Sequence, residues 1–326
     1  MRRNLFLGLK EGALRKLMIA FLALGTTSFA AAFGAASAKP RLLSWAPPKL
    51  NNPETIQLED HRDWGLKIKK DRDCIIKLPK DKPFIGELNI YGGHNVVIIG
   101  GEIHIPDGEE NPDYAEGSGK KKSRRAVYIQ GTTGTIHIEG IHITGKGLHE
   151  GFNIAEREPG CIVQLENIRV ELLHGSFSKN HADVIQSWAG PAELRIDGLT
   201  GLTEYQGFFL LPNQHFPLNK GGFLPTKWDF RNINLLGDLE KGAYMLWVPE
   251  NHGFPIEIDN VWVRPAARNK GNRDMFLWPK PKAVGDKTWD KVKEGVPPGG
   301  DFVPEGMPGL KYRSPGYVKK GIVNSE

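Results

Sequence analysis

The stretch Ile136-His-Ile-Glu-Gly140-Ile-His-Ile alternates apolar and polar residues on both sides of a glycine. Such alternation is typical of half-buried β-strands. Glycine and asparagine tolerate left-handed backbone best, so Gly140 is predicted to form a tight bend between two strands. The same pattern returns around Gly101, Asn167, Gly198, Asn232 and Asn260. Together with Gly140 these make six positions, which are 39, 27, 31, 34 and 28 residues apart along the chain. A repeat of this length is typical of stacked structural units.

A further apolar segment precedes each bend, as in Ala126-Val-Tyr-Ile-Gln130 and Ala182-Asp-Val-Ile-Gln186. Three strands per repeat predict an all-β fold, a right-handed parallel β-helix of about seven coils, because parallel crossovers are almost always right-handed. An antiparallel sandwich of short strands is the alternative. It does not explain why Gly or Asn returns at one position of every repeat.

This repeat resembles the right-handed parallel β-helix superfamily of pectate lyase-like proteins, over roughly residues 70–278. The resemblance implies a substrate groove formed by the first strand of each coil and the loops after the third strand. Those loops would be residues 106–125, 145–150, 174–181 and 201–206. It also implies an acidic polysaccharide as the partner and a lyase reaction.

Four segments are predicted along the chain. Residues 1–38 have a basic start, an apolar centre and the small residues Ala36-Ser-Ala38, which is the pattern of an export signal. A retained membrane anchor is the alternative. Residues 39–70 are expected to form a lead-in and cap, residues 71–278 the β-helix, and residues 279–326 a Pro- and Gly-rich tail packed on it. The mature protein is expected to be secreted or periplasmic, monomeric and without stable membrane association.

The charge balance gives no argument for nucleic acid as a partner. Residues 1–38 hold five of the 43 basic and one of the 38 acidic residues, which leaves 38 basic and 37 acidic residues. The basic excess of the whole chain thus comes mostly from the predicted signal and does not indicate nucleic-acid binding. The loop 106–125 is acidic first and basic last, ending at Arg125. It is either a solvated loop or a lid whose basic end grips an anionic glycan.

Candidate chemistry centres on His181 and Asp183, which are two residues apart and therefore share one side of a strand. Alternation alone does not decide which side chains of residues 181–186 point into the core, and two arrangements, or phases, are open. If Ile185 points inward, Asp183 points inward with it. If Ala182, Val184 and Gln186 point inward, His181 and Asp183 face the groove, and the cost of burying an unpaired carboxylate favours this phase.

Neighbouring repeats add polar and aromatic groups to this site. Lys179, Tyr205 and His181 are candidate bases, with Asp183 as the partner of His181. The predicted substrate-binding residues are Glu150, Asn153, Gln206, Arg195, Asn213, Gln214 and His215. Planar polar side chains and aromatic rings are the groups that bind sugar hydroxyls and ring faces.

β-Elimination from a uronic-acid polymer needs a base and a group that neutralises the substrate carboxylate. Gln206, Asn213 or Arg195 could serve that carboxylate, and Asp183 could hold Ca²⁺, while no dedicated metal-ligand set is predicted. Glycoside hydrolysis by Asp183 and Glu150 stays open, since two carboxyl groups are what it requires. A glycan-binding or structural protein without catalysis is the third possibility.

Overall fold

The computed structural model describes residues 41–59, 65–107, 125–177, 181–238 and 243–318. The chain divides into two units, Met1–Pro40 and Arg41–Glu326, and everything described belongs to the second. The predicted signal at residues 1–38 and the candidate base Lys179 lie outside the described residues. No helix among the described residues has the length and apolar character needed to cross a membrane.

The described residues are mostly β-structure, arranged as two parallel sheets. The ten-stranded sheet contains β1 Glu54–Gln57, β3 Cys74–Lys77, β4 Phe84–Ile85, β6 Val96–His104, β8 Thr135–Thr144, β10 Ile162–Leu173, β12 Glu193–Thr203, β14 Lys227–Gly237, β16 Ile256–Arg264 and β18 Lys293–Glu294. The eight-stranded sheet contains β2 Leu66–Ile68, β5 Leu88–Gly92, β7 Arg125–Gln130, β9 Glu150–Ala155, β11 Asp183–Ala189, β13 Gln206–Leu210, β15 Leu246–Trp247 and β17 Leu277–Trp278. The helices are α1 Pro281–Val284 and the 3₁₀ turns Leu218–Lys220, Ala267–Asn269 and Arg273–Met275.

The order of the strands follows the chain in both sheets. The ten-stranded sheet runs β1-β3-β6-β8-β10-β12-β14-β16-β18, with β4 beside β6, and the eight-stranded sheet runs β17-β15-β13-β11-β9-β7-β5-β2. From β5 to β18 the chain therefore alternates between the sheets. Each strand from β7 to β16 pairs in parallel with the strand two steps earlier and the strand two steps later, so equivalent residues of successive repeats lie side by side.

The predicted bends at Gly and Asn adopt left-handed backbone, but they do not separate strands. Gly140 has φ 69°, Asn167 φ 51° and Asn232 φ 49°. Each lies within one continuous strand, and the β10–β12 ladder passes from the pair Glu166–Asp197 directly to Ile168–Leu199. The bend is thus an unpaired kink inside a single strand of the ten-stranded sheet.

This arrangement corrects the predicted fold. The two strands expected on either side of each Gly or Asn are one strand, and the described residues form two parallel sheets rather than coils of three strands. The right-handed parallel β-helix is therefore not supported, and neither is the resemblance to pectate lyase-like proteins. The strands also extend beyond residues 71–278, since β1 begins at Glu54 and β18 ends at Glu294.

The hydrophobic core lies between the inner faces of the two sheets. Phe208 of β13 meets Phe230 of β14 with ring centroids 5.7 Å apart, and both rings are fully buried. Gly151 and Gly207 face the valine and leucine side chains of the opposite sheet, so a side chain at either position would displace them. One continuous cluster of buried residues runs from Leu58 to Val292. The sheets are thereby held as a rigid support for their outer faces.

Candidate functional site

The outer face of the eight-stranded sheet presents its side chains in a four-residue pattern. Val184 and Ile185 are both fully buried, and the Val184 side chain lies against Gly201 of β12. Two successive inward residues place Asp183 and Gln186 together on the outer face. Neither of the two predicted phases is correct, because strict alternation fails at this point of the strand.

The pattern recurs on the neighbouring strands. Ala126–Val127, Gly151–Phe152 and Gly207–Phe208 are also buried pairs. They are flanked by Arg125 and Tyr128, Glu150 and Asn153, and Gln206 and Phe209. Parallel pairing then aligns the second outer residue of each strand in one row: Asn89, Tyr128, Asn153, Gln186, Phe209, Trp247 and Trp278. Seven strands spaced about 4.8 Å apart make this row roughly 29 Å long.

Two carboxyl groups occupy the middle of this face. Glu150 and Asp183 hold equivalent positions on β9 and β11, two residues before the paired Phe152 and Ile185. Burial raises the pKa of Glu150, and burial together with the nearby Glu150 raises the pKa of Asp183 well above its usual range. Like charges held close together in a desolvated site cannot both ionise easily. The pair therefore retains protons at pH values where exposed carboxyl groups have lost them.

Amide side chains join this pair into a network that is short of donors. The Asn153 Nδ2 group donates to Glu150 Oε2 at 2.5 Å and to Gln186 Oε1 at 3.0 Å. Both oxygens of Asp183, Asn153 Oδ1 and Gln206 Oε1 are buried and have no hydrogen-bond partner in the described part of the chain. Buried polar atoms nearly always have partners, so this cluster is an exception that needs an explanation. All four atoms are acceptors unless Asp183 carries a proton.

Three aromatic side chains lie beside the pair. Phe177 stacks on His181 with centroids 5.9 Å apart, and His181 contacts Tyr205 at 5.5 Å. Burial and the neighbouring Asp183 raise the pKa of Tyr205, so its phenol keeps its proton at neutral pH. His181 is exposed, and Asp183 makes no hydrogen bond to it. The predicted His181–Asp183 pair is therefore not formed, although both residues belong to one cluster with Tyr205.

Arg125 places a guanidinium group beside Glu150 of this cluster. Its guanidinium carbon lies 4.3 Å from the centroid of the Tyr128 ring and 6.0 Å from that of Trp188. Its Nε is 3.7 Å from Glu87 Oε2. The sequence pattern puts Arg125 at the end of a charged loop, whereas the structure makes it the first residue of β7 and directly opposite Glu150.

The remaining predicted residues occupy three different places. Asn213 binds the Phe223 carbonyl at 2.9 Å and so stabilises its own loop, and Gln214 is exposed. His215 stacks on Trp188 at 4.8 Å, at the side of the face near Arg125. Arg195 is far from the cluster, because it lies on the outer face of the ten-stranded sheet and binds Glu193 at 2.6 Å.

The face that carries Arg195 is largely covered. Leu43 of the N-terminal segment bridges to Tyr317 of the C-terminal segment, and Leu43 is fully buried. A cavity of about 150 Å³ remains, lined by Trp45, Glu193, Arg195, Lys227, Asp229 and Arg231. The cations in it are already paired, for example Arg231 with Asp229 at 2.8 Å. The structure therefore does not bring Arg195 together with His181.

The candidate metal ligands of this site are oxygen atoms. No group of three or more His, Cys, Asp or Glu residues in the described ranges could bind a metal ion. The outer cluster instead combines two carboxyl groups with the amide oxygens of Asn153 and Gln206. Such all-oxygen sets are what Ca²⁺ prefers.

Comparisons with protein-family models, with curated proteins and with solved structures found no match for this chain.

Proposed function

We propose that this chain is an exported carbohydrate-active protein, and that an acidic polysaccharide lies across the outer face of its eight-stranded sheet. The row from Asn89 to Trp278 carries this proposal. It combines amide groups with aromatic rings at equivalent positions of consecutive strands. A polymer is the ligand that best matches this row, because successive sugars can meet amide groups and aromatic rings at a regular spacing.

β-Elimination is the reaction that this cluster supports best. A base removes the proton from the carbon next to the uronate carboxylate, a C=C bond forms, and the glycosidic C–O bond breaks. His181 is the proposed base, since its imidazole is exposed beside the face. Tyr205, protonated and 5.5 Å from His181 between ring centroids, is the proposed donor to the leaving oxygen. Lys179 stays a candidate base from the sequence alone.

The substrate carboxylate must be neutralised before the proton can leave. Arg125 is the proposed partner, because its guanidinium carbon is held 4.3 Å from the centroid of the Tyr128 ring at the edge of the cluster. Protonated Asp183 and Glu150 would add hydrogen-bond donors instead of negative charge. Ca²⁺ is an optional cofactor, for which Asp183, Asn153 and Gln206 offer oxygen ligands and which would supply positive charge to the same carboxylate.

Glycoside hydrolysis is the second candidate, and a specific observation favours it. Glu150 and Asp183 stand at equivalent positions of adjacent strands, and each has a raised pKa. Hydrolysis needs one carboxyl group that keeps its proton and one that has lost it, which a coupled pair provides. Binding without cleavage is the remaining outcome.

The test is product analysis on acidic polymers. Pectate, alginate, glycosaminoglycans and bacterial exopolysaccharides would be incubated with the purified protein, with Ca²⁺ or with a chelator. β-Elimination predicts rising ultraviolet absorbance from unsaturated uronates, and hydrolysis predicts new reducing ends without that absorbance. His181→Ala and Tyr205→Phe should lower the β-elimination rate at least a hundredfold. His104→Ala is the control and should retain activity, because His104 ends β6 of the ten-stranded sheet and its Nδ1 lies 2.8 Å from Thr144 Oγ1.

The outcomes separate the three possibilities. Absorbance that is equally strong in His181→Ala would exclude His181 as the base. Reducing ends that disappear in Glu150→Gln and Asp183→Asn would identify a hydrolase. Tight binding of a polymer without either product would leave a glycan-binding protein, and no binding of any acidic polymer would reject the proposal.

A further inference from the structure

The row on the eight-stranded sheet changes character along its length. Its middle positions are the amides Asn153 and Gln186, and its last three are Phe209, Trp247 and Trp278. Phe209 and Trp247 meet with centroids 5.0 Å apart at 74°, and Trp247 and Trp278 at 5.6 Å and 42°. The rings are partly exposed and are not stacked flat on one another. Ring surface is therefore left for a ligand beyond the carboxyl pair.

Tyr244 adds a fourth ring to Phe209, Trp247 and Trp278, and the four rings form an aromatic platform. The Tyr244 ring lies 4.9 Å from Trp247 and 5.8 Å from Trp278 between centroids, in both cases nearly perpendicular. The platform begins one strand beyond β11 and ends at β17. Three strand spacings of about 4.8 Å put Trp278 roughly 14 Å from Gln186 along the row. A ligand that touches both must therefore extend over several sugar rings.

Lys280 places a cation on the far end of the platform. Its Nζ lies 5.6 Å from the centroid of the Trp278 ring. Among the described residues, Lys227 forms an ion pair with Glu257, and Arg125 forms one with Glu87. Lys280 forms no ion pair with a described residue and contacts the Trp278 ring instead. An ammonium group without a carboxylate partner, held against an indole, suits a ligand that combines an apolar ring face with a negative charge.

We infer that Trp278 and Lys280, with Trp247 beside them, form a distal subsite for a sugar that carries a carboxylate. The indole takes the ring face of the sugar and Lys280 takes its carboxylate. This inference rests on the proposed function, and it adds that the glycan continues from the carboxyl pair across β13 and β15 to β17. The subsite contributes affinity and selection for acidic sugars, and it contributes nothing to bond cleavage.

The opposite sheet supplies a matched control. Lys293 lies over the ring of Trp262 at 5.0 Å, which is the same indole–ammonium pair on the ten-stranded sheet. Lys280→Ala and Lys293→Ala therefore remove the same charge from the same kind of contact. Only the Lys280 pair continues the row on the eight-stranded sheet, and Lys280 is also the less exposed of the two lysines.

The experiment measures binding of polygalacturonate, alginate and hyaluronate, each beside its carboxyl-reduced neutral form. Tryptophan fluorescence would report binding to Lys280→Ala, Lys293→Ala and the unaltered protein. Lys280→Ala should bind the preferred acidic polymer about tenfold more weakly and the neutral form with unchanged affinity. Lys293→Ala should match the unaltered protein with both. Trp278→Ala should weaken both forms, and far-ultraviolet circular dichroism would verify its fold.

The results separate this inference from the proposed function. If the unaltered protein binds an acidic polymer and the two lysine variants bind it equally well, the subsite is rejected and the proposed function stands. The subsite is also rejected if Lys280→Ala weakens the binding of acidic and neutral polymers alike. If the unaltered protein binds no acidic polymer, the proposed function fails and the subsite fails with it.

Discussion

Asp183 and Asp197 are two fully buried aspartates on consecutive strands, β11 and β12, and their surroundings are opposite. Asp197 faces outward from the ten-stranded sheet, and its carboxylate accepts two hydrogen bonds from Arg41, at 2.9 and 2.5 Å. It also accepts one from the Ser44 backbone N–H at 3.0 Å and one from Asn232 Nδ2 at 2.8 Å. Asp183 faces outward from the eight-stranded sheet and receives no hydrogen bond from the described residues.

The same contrast holds for the faces around them. On the ten-stranded sheet, Glu139 accepts hydrogen bonds from the hydroxyls of Tyr312 and Tyr317, and Glu166 accepts one from the Trp45 N–H. The terminal segments supply these donors. Apart from Glu166 Oε2, which is buried without a partner among the described residues, these carboxyl oxygens are satisfied from within the chain, and such contacts stabilise the fold. A cluster of unsatisfied groups on a rigid support is instead expected where a ligand completes it.

The largest expected effect comes from breaking the cover over the ten-stranded sheet. A Cβ at Gly140, where φ is 69°, would lie 2.1 Å from the Tyr312 ring. Gly140→Ala combines left-handed strain with this clash and should lower the free energy of unfolding by about 3–4 kcal/mol. Gly285→Ala is the control, because Gly285 has a similar φ of 67° but no atom lies within 4 Å of an added Cβ. Its free energy of unfolding should fall by only about 1 kcal/mol. Denaturant unfolding measures both. Equal losses would mean that the contact with Tyr312 contributes nothing.

Neutralising the two aspartates should have opposite consequences for stability. Asp197→Asn leaves the partly exposed Arg41 without its carboxylate and should lower the free energy of unfolding by about 2 kcal/mol. Asp183→Asn removes a buried carboxyl group that has no partner and should raise it by roughly 1 kcal/mol at pH 7. The measurement is urea unfolding at constant ionic strength. A loss in Asp183→Asn as large as that in Asp197→Asn would contradict the comparison.

A pH series tests the same face through Glu166. Burial, with Asp197 and Glu139 nearby, raises the pKa of Glu166 to about 9. The folded state therefore holds this proton while the unfolded state has lost it above pH 4.5. The contribution of Glu166 to stability is complete below that pH and declines as the pH rises to about 9, by at most ~1.4 kcal/mol per pH unit. Glu166→Gln should remove this slope. A slope that persists in Glu166→Gln would assign it to other groups.

Part of this contrast could be predicted from the sequence. Alternation around Gly140 and Asn167 indicates parallel β-structure, and the preference of these residues for left-handed backbone is confirmed by their φ values of 69° and 51°. Periodicity does not reveal whether a kink ends a strand or lies inside it, because both need the same backbone. The expectation of three strands per coil is wrong for that reason.

The sequence could predict which residues of the site lie near one another, but not how each side chain is oriented. Parallel pairing places Glu150, Asn153, Asp183 and Gln206 at neighbouring positions of one face, and Tyr205 lies beside His181 with ring centroids 5.5 Å apart. Strict alternation cannot anticipate the double inward step at Val184 and Ile185, which is decided by packing against Gly201. Arg195 lies away from this cluster for a related reason, since two residues of one repeat can belong to different sheets.

The smallest expected effect on stability is that of Phe177→Ala, on the open side of the comparison. Phe177 is 77 % exposed, and its ring stacks on His181 beside the carboxyl pair. Removing an exposed ring should change the free energy of unfolding by less than about 0.5 kcal/mol. Leu218→Ala is the control, a 52 % exposed apolar residue on another loop. Phe177→Ala should still bind an acidic polymer about threefold more weakly, since an exposed aromatic ring beside a polar cluster offers a sugar its apolar surface. Equal affinity in the two variants would remove Phe177 from the binding face and leave its exposure without a functional reason.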